Sequence, residues 1–278
     1  MTSPAPFKAA CIQTSSLPDI EANIEQITPL VRQAATSGAE LICLPENVVM
    51  MEHGREAILS KAKTQSDHPA LSAFGALARE TKTHILIGSL AIRPEGAGEK
   101  IVNRSFLLDG SGGVVAHYDK IHMFDVDLEG EESYRESATY QPGEKAVLAA
   151  TPWGKLGLTI CYDLRFPYLY RALAHAGASF LSIPAAFTRF TGQAHWHTLL
   201  RARAIETGCF VFAPAQCGEH SGARQTYGHS LIIDPWGKIL AEAGEEPGVI
   251  MAKIDPARVA QVRGMVPSLS HDRPFAKP

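Results

Sequence analysis

Short apolar runs of four to eight residues alternate along this chain with longer segments whose apolar residues recur every three or four positions. That rhythm predicts buried strands separated by amphipathic helices. FKAACIQT (7–14) reads as a strand. Pro18-Asp19 opens a helix with Ile20, Ile24, Ile27 and Val31 on one face, and Gly38 ends it. Pro29 lies inside that pattern and weakens the case for a helix through its middle. ELICLPEN (40–47) is a second strand, stopped by Pro45. Asp67-His68-Pro69 caps a helix to about Lys82, and HILIGSL (84–90) is a third strand. NRSFLLD (103–109) and VVAHYDK (114–120) flank Gly110-Ser111-Gly112-Gly113 and read as a hairpin. Segment 121–145 is polar, acidic and irregular, and long loops of that kind are often functional.

The second half repeats the rhythm. AVLAA (146–150) and LGLTICYD (156–163) flank TPWGK, and Phe166-Pro167 leads into a helix to His175. ASFLSIP (178–184) is a strand, 193–207 a helix ended by Gly208, and CFVFAPA (209–215) a strand. A hairpin over 229–242, a strand at 248–255, a short helix and a proline-rich tail follow. PWGK occurs in both 151–155 and 234–238, a hint of a duplicated plan. Mixed hairpins and crossover helices predict two mixed sheets packed face to face, a four-layer α-β-β-α sandwich of the α/β class. No linker or composition shift divides residues 1–278, so a single domain is expected.

Composition narrows the function classes. With 45% hydrophobic and 20% charged residues the chain is neither disordered nor fibrous. A net charge of −3 gives no basic footprint for nucleic acid. No apolar run approaches the roughly 18 residues that span a membrane, and no signal peptide is evident. The five cysteines, Cys11, Cys43, Cys161, Cys209 and Cys217, are odd in number and form no C-x-x-C, which points to reduced thiols in the cytoplasm.

In open α/β sheets ligands sit beyond the carboxyl ends of strands. Three reactive side chains follow apolar runs directly: Glu46 after LICLP, Lys120 after VVAHYD and Cys161 after LGLTI. An acid, an amine and a thiol at strand ends make a base, a cation and a nucleophile. Each has a plainer reading: a small buried hydrophobe for Cys161, a loop charge for Glu46, a solvated lysine for Lys120. His195-x-His197 resembles a metal pair, but residues two apart do not share a helix face. With no third ligand at suitable spacing, no metal is expected.

LPEN around Glu46, YDKIHMFDVD around Lys120 and TICYDLRFP around Cys161 resemble the three motifs of the nitrilase superfamily of carbon–nitrogen hydrolases. Their separations, 74 and then 41 residues, suit that family, and the resemblance runs from Lys8 to about Pro274. It implies the α-β-β-α sandwich, a homodimer or higher homo-oligomer, and hydrolysis of a small-molecule amide without a cofactor. It implies that Cys161 attacks the carbonyl, that Glu46 serves as base and then acid, and that Lys120 holds the oxyanion together with the Tyr162 N–H. Many members carry a further glutamate between lysine and cysteine. Of Glu129, Glu131, Glu132 and Glu136, Glu136 matches best, and it would orient Lys120. Phe187 and Thr191 match pocket positions of the family. Arg165 is a candidate fork for a substrate carboxylate, with a loop pair to Asp163 as the alternative. AQCGEH (215–220), Arg224 and QTYGHS (225–230) resemble the deaminated glutathione amidase branch more than the omega-amidases. That branch cleaves the amide of the 2-oxo analogue of glutathione, omega-amidases cleave 2-oxoglutaramate, and other aliphatic amidases or nitrilases lie further away. A non-catalytic scaffold on the same fold is the alternative outside enzymes.

Overall fold

The computed structural model describes residues 4–96, 98–128 and 133–276. In chain order the elements are β1 (Phe7–Gln13), α1 (Ile20–Thr36), β2 (Leu41–Cys43), α2 (Arg55–Lys61), α3 (Pro69–Thr81), β3 (His84–Ile92), β4 (Val102–Leu108), β5 (Val114–Asp119), β6 (Asp125–Asp127), β7 (Ser133–Arg135), β8 (Val147–Thr151), β9 (Gly154–Leu158), α4 (Pro167–His175), β10 (Ala178–Ser182), α5 (Arg189–Thr207), β11 (Phe210–Ala213), β12 (Cys217–Glu219), β13 (Gln225–Tyr227), β14 (Leu231–Ile233), β15 (Ile239–Glu242), β16 (Gly248–Ile254) and α6 (Ala257–Met265).

Two six-stranded mixed sheets form, in the orders β16-β1-β2-β3-β4-β5 and β8-β9-β10-β11-β14-β15. In both, the second, third and fourth strands are parallel and every other neighbour pairs antiparallel. The halves therefore share one plan. The two PWGK turns are not equivalent within it, however: TPWGK joins β8 to β9, whereas DPWGK joins β14 to β15 and corresponds to the glycine turn between β4 and β5. A short tight turn uses the same residues wherever it falls, so that repeat reflects turn chemistry.

The layers follow from alternation along the strands. On β1, Ala9 and Cys11 face the second sheet, while Ala10 and Ile12 lie under α1 and α3 with Ile27, Val31, Phe74 and Leu77. Between the sheets, Phe7 stacks on Trp153 at 4.2 Å and meets Phe180 edge-on. The second sheet's other face packs on α4 and α5 through Tyr170, Leu173, Trp196 and Leu200. Helix α1 runs through Pro29 unbroken. Glu25 and Pro29 are both exposed residues, so the carbonyl that proline leaves unbonded is on the solvent side of the helix. Asp19 caps this helix by accepting from the Ala22 N–H at 2.8 Å. After α6 the tail returns to α4, where Arg171 and His175 both hold Asp272. Among the described residues no helix is long and apolar enough to cross a membrane.

Candidate active site

The carboxyl ends of β2, β5, β9, β10 and β11 converge on one end of the sandwich. There a cavity of about 660 Å³ is lined by Glu46, Lys120, Glu136, Cys161, Arg165 and Arg224, among others. Two close backbone approaches seat the first two. A Cβ on Gly88 of β3 would stand 2.0 Å from the Leu44 carbonyl oxygen and 2.3 Å from that of Pro45. Only a glycine lets the chain bring Glu46 inward there. A Cβ on Gly143 would stand 2.2 Å from the Asp119 carbonyl oxygen, and the Gly143 N–H donates to the Lys120 carbonyl at 2.8 Å. Arg104 pins the same strand end through a two-pronged pair with Asp119 at 2.6 and 2.8 Å.

Glu46 is 3% exposed and Lys120 2%, burial that a charge tolerates only when paired. Glu46 Oε1 accepts from Lys120 Nζ and Asn103 Nδ2, each at 2.9 Å, and Oε2 accepts from the Ala186 N–H at 3.0 Å. Lys120 Nζ also donates to both oxygens of Glu136, at 3.0 and 2.9 Å, and the Phe124 N–H fixes Glu136 at 2.6 Å. Burial by itself would raise the Glu46 pKa, but the charges of Lys120 and Arg224 and hydrogen bonds from Cys161 and Lys120 hold it below the ordinary carboxylate value. Burial disfavours the Lys120 cation, yet Glu136 and Glu46 hold its pKa well above the ordinary lysine value. Burial pushes the Cys161 thiol well up and Glu46 adds to this, while Lys120 and the Ala186 N–H pull the other way. At neutral pH the resting site is thus carboxylate, ammonium and thiol, with a proton acceptor beside the sulfur.

Cys161 lies three residues beyond the end of β9, not within a continuing strand. It adopts φ +49°, a left-handed conformation rare for a non-glycine residue, and opens a 3-10 turn over Cys161–Arg165. The turn is braced from three sides. Cys161 N–H donates to Pro184. Arg203 of α5 donates twice to the Leu164 carbonyl, at 3.0 and 2.6 Å. Buried Asp163 accepts from Tyr118 Oη at 2.8 Å and the Ile160 N–H at 2.9 Å, and its carboxylate meets His122 Nδ1 at 2.6 Å. Asp163 is therefore committed to the turn, and Arg165 is not its partner. Arg165 instead contacts His195 Nδ1 at 3.3 Å and lies over the rings of Phe187 and Tyr162. Phe187 and Tyr162 line the cavity, as does Thr191, whose hydroxyl is shared with Thr188 at 2.8 Å.

Sequence reasoning missed Asn103, Gly88 and the bracing role of Asp163, and it used Arg224 only as a mark of resemblance. Gly88 interrupts an apolar run, a sign of close backbone approach. Asn103 heads a strand and gives no such sign. Glu129, Glu131 and Glu132 lie outside the described residues. His195 and His197 part ways: His197 joins His229 and Glu242 away from the lining, with ligand atoms of all three within 4.8 Å of one another. Both imidazoles meet the same Glu242 oxygen, His197 Nε2 at 2.9 Å and His229 Nδ1 at 3.2 Å, so the third polar partner that sequence spacing did not offer comes from β15.

The profile of the carbon-nitrogen hydrolase family matches residues 8–264. A Synechocystis sp. protein named deaminated glutathione amidase is 43% identical over 268 residues, covering 96% of this chain and 98% of its own. The crystal structure of the C. elegans NitFhit protein superposes with a TM-score of 0.91 at 35% identity, over 98% of this chain and 66% of that longer one. An amidase from Nesterenkonia sp. AN1, solved with the acetamide moiety of fluoroacetamide covalently added at its active-site cysteine, gives a TM-score of 0.78 at 25% identity, over 92% of both chains.

Proposed function

Because the chain belongs to the carbon-nitrogen hydrolase family and is a hydrolase of non-peptide carbon–nitrogen bonds, we propose that it cleaves deaminated glutathione to 2-oxoglutarate and cysteinylglycine through a thioester on Cys161. The observation that carries the chemistry is the buried contact of Glu46, Lys120 and Cys161 at one cavity floor. The substrate rests on the Synechocystis relative's name and full-length match. Glu46 takes the thiol proton as sulfur bonds to the amide carbon, and the carbonyl electrons move onto oxygen. The Lys120 ammonium and the Tyr162 N–H stabilise that oxyanion. The oxyanion then re-forms the carbonyl, the C–N bond breaks, and Glu46 delivers its proton to the departing nitrogen. Water enters, gives a proton to Glu46 and adds to the thioester. Collapse breaks the C–S bond, and the sulfur recovers its proton from Glu46. Glu136 orients Lys120, and Arg165, Phe187 and Thr191 shape the acyl pocket. No step calls for a metal or an organic cofactor.

Product identification with deaminated glutathione, 2-oxoglutaramate and simple nitriles side by side tests the substrate. Deaminated glutathione should give the highest kcat/KM, and preference for 2-oxoglutaramate would reassign the chain to omega-amidases. Cys161→Ala should abolish turnover, and a mass adduct on Cys161 should appear in quenched wild-type enzyme. All five cysteines are unpaired and buried, which favours a reducing cytoplasm. Exposed Ile205, Trp236 and Val266 around one groove favour a homo-oligomer.

A further inference from the structure

We propose that Arg224 anchors a second substrate carboxylate, carried by the leaving amine, so that the cavity is built for dianionic amides. This deepens the reading above and rests on it. Four arginines line the cavity. Two already carry exposed ion pairs, Arg55 with Glu99 and Arg135 with Asp127. Arg165 and Arg224 pair with no carboxylate among the described residues. Arg224 ends the turn between β12 and β13. Its Nη2 donates to the Ala186 carbonyl at 2.7 Å, and its guanidinium lies 5.4 Å from the Tyr134 ring centroid. Its Nε is buried with no hydrogen-bond partner. A half-buried guanidinium held by one carbonyl, and in no ion pair among the described residues, keeps donors to spare that a carboxylate brought by a ligand would engage.

These two cations, Arg165 and Arg224, without a carboxylate partner among the described residues, sit on different sides of the reacting bond. Glu46 must reach the departing nitrogen to protonate it. The Arg224 charge acts on Glu46, and Arg224 grips the carbonyl of Ala186, whose N–H holds Glu46 Oε2. Arg224 therefore flanks the leaving amine. Arg165 belongs to the nucleophile's own turn and lies over Phe187 and Tyr162, on the acyl side. A cavity of about 660 Å³ has room for an acyl chain and a peptide-sized leaving group together. An amide that releases ammonia offers one carboxylate and leaves Arg224 unmatched.

The test compares three amides of one 2-oxoglutaryl group: that of cysteinylglycine, that of cysteinylglycine amide, whose carboxylate is capped, and 2-oxoglutaramate. The readout is the ratio of kcat/KM for the first substrate to that for each of the others. In Arg224→Gln both ratios should fall on the order of 10²-fold, the effect of leaving a buried charge unpaired. Arg224→Lys should not restore them, because an ammonium does not reproduce the planar fork. Arg165→Gln should slow all three substrates and keep both ratios. Wild-type enzyme that turns over none of the three overturns the proposed function and the anchor with it. Wild-type turnover of all three, with ratios unmoved in Arg224→Gln, overturns the anchor alone.

Discussion

Gly88→Ala is the most direct probe of how the fold seats Glu46, the proposed base. The added methyl would stand 2.0 Å from the Leu44 oxygen, 2.3 Å from the Pro45 oxygen and 2.5 Å from the Pro45 carbonyl carbon, all backbone atoms. Real Cβ atoms essentially never come closer than 3.0 Å, so the Leu44–Pro45 segment must retreat by about 1 Å at the residue next to Glu46. Glu46 is gripped independently by Asn103, Lys120 and Ala186, so the strain opposes those bonds. Overpacking of this kind costs about 1–3 kcal/mol of stability, and a 1 Å misplacement of a catalytic group costs on the order of 10²-fold in rate. Saturation kinetics with the preferred amide should show kcat reduced by about that factor, and thermal unfolding should show a Tm several degrees lower. A Gly88→Ala enzyme with wild-type kcat and wild-type Tm would refute the claim that this glycine fixes the position of Glu46.

Two further outcomes are expected. Glu136→Gln removes the second anion from Lys120 and changes the combined charge of Glu46, Lys120 and Glu136 from −1 to zero; kcat should fall on the order of 10²-fold with a smaller change in KM, and an unchanged kcat would show that Glu136 does not position the lysine. His68 caps α3 by accepting from the Ala70 N–H, and burial, followed by the Lys63 charge, lowers its pKa from 6.5 to about 4. The unfolded chain gains this proton near pH 6.5 and the folded chain only near 4, so stability declines as pH falls through that window, by ~3 kcal/mol in all. His68→Asn keeps an acceptor and removes the titration; urea denaturation at pH 7 and pH 4 should show that loss shrink, and an unaltered loss would count against the assignment.

The two sheets were legible because apolar runs are long where a strand is buried on both faces, as in HILIGSL. The strand ends also marked Glu46, Lys120 and Cys161, since a polar residue straight after such a run must sit at the sheet's rim. Helix α2 and the β12–β13 hairpin were not legible: they are short, largely polar, and held by tertiary contacts such as His220 Nδ1 with the Ser16 carbonyl at 3.1 Å. The partners of the site were hidden for a related reason. Asn103 meets Glu46 across 57 residues and Ala186 meets it across 140, distances over which local pattern carries no information. Pro29 misled in the other direction, because the cost of an interior proline depends on whether solvent reaches the orphaned carbonyl.

The shared plan of the two halves has a chemical corollary. Carboxylate and ammonium come from the first sheet and sulfur from the second. On the proposed mechanism either sheet assembled by itself holds an unarmed thiol or an idle base, so hydrolysis requires the two sealed together, and a fluctuation that parts the seam should silence the enzyme before it unfolds.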